Sequence, residues 1–522
     1  MAALATLPRI TYTSVPGDLS PVHDYFDREL PLFRARLGAR WANRIDGEPN
    51  HEGEEYAASS PIDSQLSLGR YVEAAPAAVG QAVGAARRAF LTWGRTPWQE
   101  RVAVLRRIRA KLDEAKYDLA MAVVFEVGKT RIEALGETEE AVALIDYYCE
   151  QLTRHDGYAE APWEGNGERS QTLLRSIGVF GVIAPFNYPV ALSVNMLSAA
   201  LLAGNTVVFK PSPNAGLTAG MLAKIFEPEL PRGAFNVICG DRAGKRLVAE
   251  PGVDGIAFTG SNAAGMTILR AMAAGRYMRP VLAEMGGKNA AYVSRTADLD
   301  AAVEGVAKSA FAMQGQKCTA CSVAFVHDSL FDSFLEKLVQ KAKAVKPGDP
   351  TLRETTNGPL INAAALARYE EAVAHAGEAG RLLAGGNRLS GGLYDRGSYV
   401  GPAVVTDLPE ADWLFERELF APVLAVTRFH DLSEALERGN RTGYGLTSGF
   451  YGRDQGDIDL FVERSETGVQ YVNRRTGATT GAWPGIQSFC GWKGSGLTGK
   501  GGLGPHYLPQ FMREQSRTIR GQ

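Results

Sequence analysis

Between Gly178 and Glu284 the chain repeats one pattern: a short apolar run closed by glycine, proline or serine, then a helical stretch. Val179 to Ala184, Thr206 to Lys210, Phe235 to Cys239 and Gly255 to Thr259 read as strands. Pro189 to Leu202 and Leu217 to Ile225 read as helices. Strands that are apolar without alternation are buried on both faces, as in a parallel sheet covered by helices. The pattern predicts an α/β fold with crossover connections. A second series follows, with strands at Ala290 to Val293, Val323 to Val326 and Val423 to Phe429 and a helix at Phe331 to Ala344.

A chain of 522 residues is too long for one ordinary domain and fits two or three. Residues 1 to 60 read as an arm, punctuated by Pro16-Gly17 and Gly47-Glu48-Pro49-Asn50, with one helix around Asp24 to Trp41. Helical spacing dominates from Ala77 to about Gln151, as in Val102, Leu105, Ile108 and Leu112. Gly157 to Ser170 is a loop or an exposed hairpin, and Gly380 to Gly401 a glycine-rich surface excursion. The tail, Tyr507 to Gln522, can pair as a strand with another segment or subunit.

Composition removes several function classes. A net charge of −2 with scattered basic residues gives no footprint for nucleic acid, and the densest basic patch, Arg101 to Lys116, is the polar face of a helix. The most apolar stretch, Met196 to Phe209, is too short to span a bilayer and holds Gly204 and Asn205. Met1 to Arg9 lacks the pattern of a signal peptide. Five sparse cysteines make no disulfide framework, so a reducing, cytoplasmic compartment is expected. No metal site is expected: the histidines lie far apart, and Cys318 and Cys321 have no second pair.

Three short motifs carry the chemistry. Gly315-Gln316-Lys317-Cys318-Thr319 offers a cysteine among polar neighbours, where a nucleophile is more at home than a packing residue. A position at a loop-to-helix junction would lower its thiol pKa. Glu284-Met285-Gly286-Gly287-Lys288 places a carboxylate at a strand end beside flexible glycines, and Pro185-Phe186-Asn187 places an amide after a strand. A thiolate, a base and an amide suffice to oxidise an aldehyde through a thioester. Taken singly, Glu284 is also a solvated turn acid and Asn187 a turn former or N-cap. Lys210 ends a parallel strand, where an ammonium suits ribose or phosphate, or is a strand-terminal surface lysine. Phe258-Thr259-Gly260-Ser261 opens a helix whose free N–H groups suit a pyrophosphate, or is a plain turn.

Together with Lys210-Pro211-Ser212, Glu418-Leu419-Phe420-Ala421-Pro422 and Gly491-Trp492-Lys493-Gly494-Ser495-Gly496, these segments resemble the aldehyde dehydrogenase superfamily, in its order, from about Ala77 to Ser516. The resemblance implies Cys318 as nucleophile, Glu284 as general base and Asn187 as oxyanion donor. It implies cofactor contacts at Lys210, Ser212, Gly240, Gly260, Ser261, Gly265, Glu418 and Phe420. It implies a Rossmann-like cofactor domain (61–156 and 177–285), an α/β catalytic domain (286–490) and a small β oligomerisation flap with the tail (157–176 and 491–522), after an arm (1–60). A homodimer or higher homo-oligomer follows from the same likeness.

Within the superfamily the cysteine segment looks most like the branch that oxidises L-glutamate γ-semialdehyde, the opened form of 1-pyrroline-5-carboxylate, with NAD. That branch implies substrate contacts at Glu137, Phe186, Thr319, Gly481, Ala482 and Phe489. Departures are Trp483-Pro484 and Ser488-Phe489-Cys490-Gly491 in the substrate loop, and Ala421 for a common glycine. The stretch Pro211-Ser212-Pro213-Asn214 holds no acid to chelate the ribose hydroxyls, which leaves NADP open beside NAD. Another aldehyde, a CoA-acylating enzyme and a silent binding member are the rival readings; Glu284 argues against the second, since transfer to CoA needs no water-activating base.

Overall fold

The computed structural model describes residues 7–11, 17–476 and 483–520. In one seven-stranded sheet the order is Val281–Glu284, Gly255–Thr259, Val179–Ile183, Thr206–Lys210, Phe235–Val237, Asn43–Ile45, Glu48–Asn50. The first five strands are parallel, and the last two add an antiparallel edge. Val179–Ile183 and Thr206–Lys210 are buried at every residue, as their unbroken apolar runs require. The chain leaves Val179–Ile183 in one direction and later returns on its other side at Gly255–Thr259. This reversal opens a crevice at the C-terminal strand ends, where ligands bind in open α/β sheets.

The second sheet runs Arg381–Ala384, Ala403–Thr406, Val423–Phe429, Cys321–His327, Asn289–Val293, Thr447–Tyr451, Val469–Val472, parallel except for the Arg381–Ala384 edge. Only Met285, Gly286, Gly287 and Lys288 separate Glu284, the last residue of one sheet, from Asn289, the first of a central strand in the other. That tight link holds the two sheets' active ends together.

Thr206–Lys210, Gly255–Thr259, Phe331–Ala344 and Val423–Phe429 have the bounds expected from sequence. The helical region resolves into Pro76–Trp93, Trp98–Val127 and Arg131–Arg154, broken at Gly94 to Pro97 and at Gly128, which ends its helix in the left-handed conformation. The early helix is Ser20–Arg34, not Asp24 to Trp41; the chain turns away at Gly38, whose φ is 91°. Residues 43–50, read as part of an arm, are the edge strands of the first sheet. Gly380 to Gly401 contains the edge strand Arg381–Ala384 and a short 3-10 turn, Gly392–Arg396. Trp163–Gly165 and Glu168–Ser176 form a hairpin, and the tail strand Met512–Arg520 pairs with Glu168–Ser176 along its whole length. Among the described residues no helix is long and apolar enough to cross a membrane.

Candidate active site

A cleft opens where the two sheets meet, and Glu284, Cys318, Thr319 and Phe489 line it. Glu284 is 8 % exposed, and its Oε1 accepts the Gly502 N–H at 2.7 Å. Burial pushes its carboxyl up to about 7, against the Gly502 N–H, which favours the charged form. A carboxyl in that range takes and returns protons at neutral pH.

Cys318 lies between the 3-10 turn Ala312–Gly315 and the strand Cys321–His327. The expected helix N-terminus is absent at this point, and so is the lowered pKa. Burial first, then the nearby Glu418 and Glu284 carboxylates, push the thiol up to about 12; the N–H groups of Cys318 and Thr319 oppose this. The adjacent Lys317 offers little relief, since its own burial brings its ammonium down to about 8. In this state the thiol needs a base to ionise.

The loop around Cys318 is fixed by side-chain amides. Asn289 Nδ2 donates to the Cys318 carbonyl at 2.7 Å and to the Ala320 carbonyl at 2.9 Å, while its Oδ1 accepts the Thr447 N–H at 3.0 Å. Gln316 Oε1 accepts the Ile361 N–H at 2.9 Å. Asn187 is buried, and its Nδ2 donates to the Gln316 carbonyl at 3.1 Å. An amide nitrogen carries two hydrogens, so one remains beyond that bond. Met313 and Gln314 both hold left-handed φ values, 52° and 57°, rare for side chains of this size and concentrated at functional loops.

The expected cofactor residues gather at the C-terminal strand ends. Lys210 is 7 % exposed and makes no hydrogen bond or ion pair recorded among the described residues. Such a buried ammonium lacks an acceptor, and a ribose hydroxyl or phosphate would supply one. Ser212 Oγ accepts the Asn214 N–H at 3.3 Å, and Ser261 Oγ accepts the Ala264 N–H at 3.4 Å. Gly260 N–H donates to the Glu284 carbonyl at 3.1 Å, and Gly265, whose absent side chain leaves room for Met285, lies in the first turn of the following helix. Gly240, with φ at 108°, immediately precedes the helix Asp241–Ala249. Glu418 comes from the other half of the chain; its Oε1 accepts the Gly287 N–H at 3.1 Å, and burial pushes its carboxyl up to about 7. A side chain at Gly286 would collide with that carboxylate. Phe420 meets Phe186 edge to face at 5.9 Å between ring centres.

One sequence expectation on the substrate side changes. Glu137 does not line the cleft. It is fully buried: Oε2 holds Lys129 Nζ at 2.6 Å, and Oε1 accepts the Val190 and Ala191 N–H groups at 2.7 and 3.2 Å, capping the helix Ala191–Leu202. Its acceptors are spent inside the fold. Glu137→Ala is expected to destabilise the protein by about 3–5 kcal/mol, since it strands the buried Lys129 charge and two N–H groups; urea midpoints at constant slope measure this. The cleft carboxylate is instead Glu140, three residues further along the same helix, held up at about 8 by burial and by its neighbour Glu137. Gly481 and Ala482 lie outside the described residues. Gly502 and Asn289 had no motif to mark their roles; both act by long-range contacts.

The aldehyde dehydrogenase family profile matches residues 49–516. A 1-pyrroline-5-carboxylate dehydrogenase from Geobacillus sp. (strain WCH70) is 33% identical over 503 residues, covering 95% of both chains. Among solved structures, a 1-pyrroline-5-carboxylate dehydrogenase from Thermus with bound NAD superposes with a TM-score of 0.92 at 30% identity, over 99% of this chain and 100% of that one. Proline utilization A from Bdellovibrio bacteriovorus, inactivated by N-propargylglycine, gives a TM-score of 0.90 at 32% identity; it covers 95% of this chain, which spans about half of that longer one (52%). Two switch-point sheets meeting at a cysteine and a buried carboxylate, matched along nearly the whole length, make this chain a member of the aldehyde dehydrogenase family.

Proposed function

We propose that the protein oxidises L-glutamate γ-semialdehyde to L-glutamate with NAD, using Cys318, Glu284 and Asn187. The observation that carries this reading is the shared cleft of the Cys318 thiol and the Glu284 carboxyl, with its pKa near neutrality. Glu284 takes the thiol proton, directly or through water, and Cys318 Sγ adds to the carbonyl carbon. The remaining Asn187 amide hydrogen and the Cys318 N–H face the oxyanion of the thiohemiacetal. NAD, when bound near Lys210 and Glu418, supplies the acceptor for the hydride. Glu284 passes the thiol proton to solvent and then takes one from water, which attacks the thioester; the carbon–sulfur bond breaks, freeing the acid and the Cys318 thiolate. The glycines beside Glu284 give it room to serve both steps.

The substrate assignment rests on the relatives' names and on the cleft, where the Glu140 carboxyl and the Lys317 amine give the amino and carboxyl groups of an amino-acid aldehyde opposite partners. Thr319 and Phe489 line the same space. The same reading divides the chain into an arm (1–60), a dinucleotide-binding part (61–156 and 177–285), a catalytic part (286–490) and an oligomerisation flap with the tail (157–176 and 491–522). It makes the protein a cytoplasmic homo-oligomer, supported by five free cysteines and by a flap whose tail strand is exposed along nearly all its length.

Steady-state NAD reduction across a panel of aldehydes tests the substrate. The expected result is a kcat/KM for the semialdehyde roughly 10²-fold above short aliphatic and aromatic aldehydes. A flat profile would keep the thiol chemistry and reject the substrate.

A further inference from the structure

We propose that Glu73, on the strand Ser67–Ala74, is the residue that makes this chain prefer NAD over NADP. The inference rests on the dinucleotide lying at Lys210, as read above. In this fold a carboxylate that meets the ribose 2′-hydroxyl would repel a 2′-phosphate. The segment after Lys210 holds no such acid. The structure brings one in from a distant strand instead.

Glu73 Oε2 accepts the Asp241 N–H at 2.9 Å, and Oε1 accepts the Ala243 N–H at 3.0 Å. The carboxylate therefore sits on the N-terminus of the helix Asp241–Ala249, the position a phosphate would otherwise take. Gly240 is forced to be glycine here: its φ is left-handed, and a side chain would run into the Glu73 carboxylate. The same first turn packs against the lysine. Gly244 lies beside the Lys210 stem, a Cβ there reaching Cδ at 3.2 Å. Glu73 and Lys210 thus flank one helical turn, about 5 Å of rise. The buried Lys210 ammonium, with no bond of its own among the described residues, points to a ligand at this turn.

Two guanidiniums at the edge of ion-pair range offset Glu73 only in part. Arg242 Nε and Arg246 Nη1 each stand 4.0 Å away, but Arg242 is bonded to Glu54 at 2.7 Å and Arg246 to the Ala74 carbonyl. Asp241, on the same turn, adds a second negative charge that acts on Lys210. Each Glu73 oxygen has accepted one N–H and keeps a lone pair for a hydroxyl. A neutral 2′-hydroxyl gains from this arrangement; a 2′-phosphate meets the Glu73 and Asp241 carboxylates at this turn, with Arg242 and Arg246 each already bonded elsewhere.

The test compares Kd for NAD and for NADP, by calorimetry without substrate, in the intact protein and in Glu73→Gln. Glutamine keeps the shape and one capping oxygen. NADP is expected to bind roughly tenfold tighter to the variant, with NAD changed less than about threefold, the size of one screened like-charge contact. Discrimination in the unaltered protein is expected to narrow as salt rises. If both dinucleotides weaken together in the variant, Glu73 is only a helix cap and the proposal fails. If the unaltered protein binds NADP as tightly as NAD, it fails outright. If neither dinucleotide binds the unaltered protein, the cofactor reading beneath it falls as well.

Discussion

Cys318→Ala is expected to lower steady-state aldehyde oxidation by roughly 10⁴-fold or more, the cost of deleting a nucleophile that acts in a unit with its base. NAD affinity should stay within about threefold, since Lys210, Ser261 and Glu418 are untouched. Residual turnover is read from NADH formation, and binding from calorimetry on the same sample. Near-normal turnover would move the chemistry to another residue, and the first place to look would be the neighbouring Cys321. That thiol is buried, with its proton bonded to the Val323 carbonyl, so it starts as a packing residue.

Glu284→Gln removes the base from both halves of the reaction. Glutamine can still accept the Gly502 N–H, so the loop should hold. The Cys318 thiol and the hydrolytic water both lose their base, so rapid mixing should show no burst and a steady rate on the order of 10²- to 10³-fold below the unaltered protein. In the unaltered protein the rate should rise as pH passes through about 7, where Glu284 loses its proton and becomes a base. The variant should lack that limb. Stability moves the other way. The folded carboxyl has a pKa of about 7 against an ordinary 4.5, so between these values the folded state binds more protons. The stability this gives is full below pH 4.5 and is lost as pH rises through 7. Glu284→Gln escapes the loss and should be more stable at pH 8 by about 3 kcal/mol. A variant that keeps near-normal turnover, or that melts earlier at pH 8, would remove Glu284 from the role of buried base.

The strands and their sheets were legible because burial on both faces writes itself as an unbroken apolar run. Val423–Phe429 and Thr206–Lys210 have the bounds that such runs set. Asn43–Ile45 was not legible: three residues, two of them polar, give no period, and the strand is held from outside, with Asn43 Oδ1 accepting the Cys239 N–H across the chain. The catalytic candidates were legible as residue types in order along the chain. Their electrostatics were not. The thiol of Cys318 was expected to be acidic, yet burial, and after it two carboxylates from distant segments, raise it. Glu137 and Glu140 show the same limit, because two acids three apart on one helix differ only in depth, and packing decides which one reaches the cleft. Glu73 carried no signal at all; its meaning comes from the glycine it crowds nearly 170 residues later.

The bond from Gly502 to Glu284 spans 218 residues of chain. Leu503 N–H reaches Tyr148 Oη at 3.1 Å across 355 residues, and Phe489 pairs with Gly502 on the cleft's wall. Contacts this distant in sequence close the largest loops and form last. A refolding chain can therefore complete both sheets, and show their full circular dichroism, while the Glu284 side chain still has no fixed position. Catalysis is the last property such a chain acquires and the first it surrenders when its later segments loosen. Recovered activity, more than recovered secondary structure, is the measure of whether this molecule has finished folding.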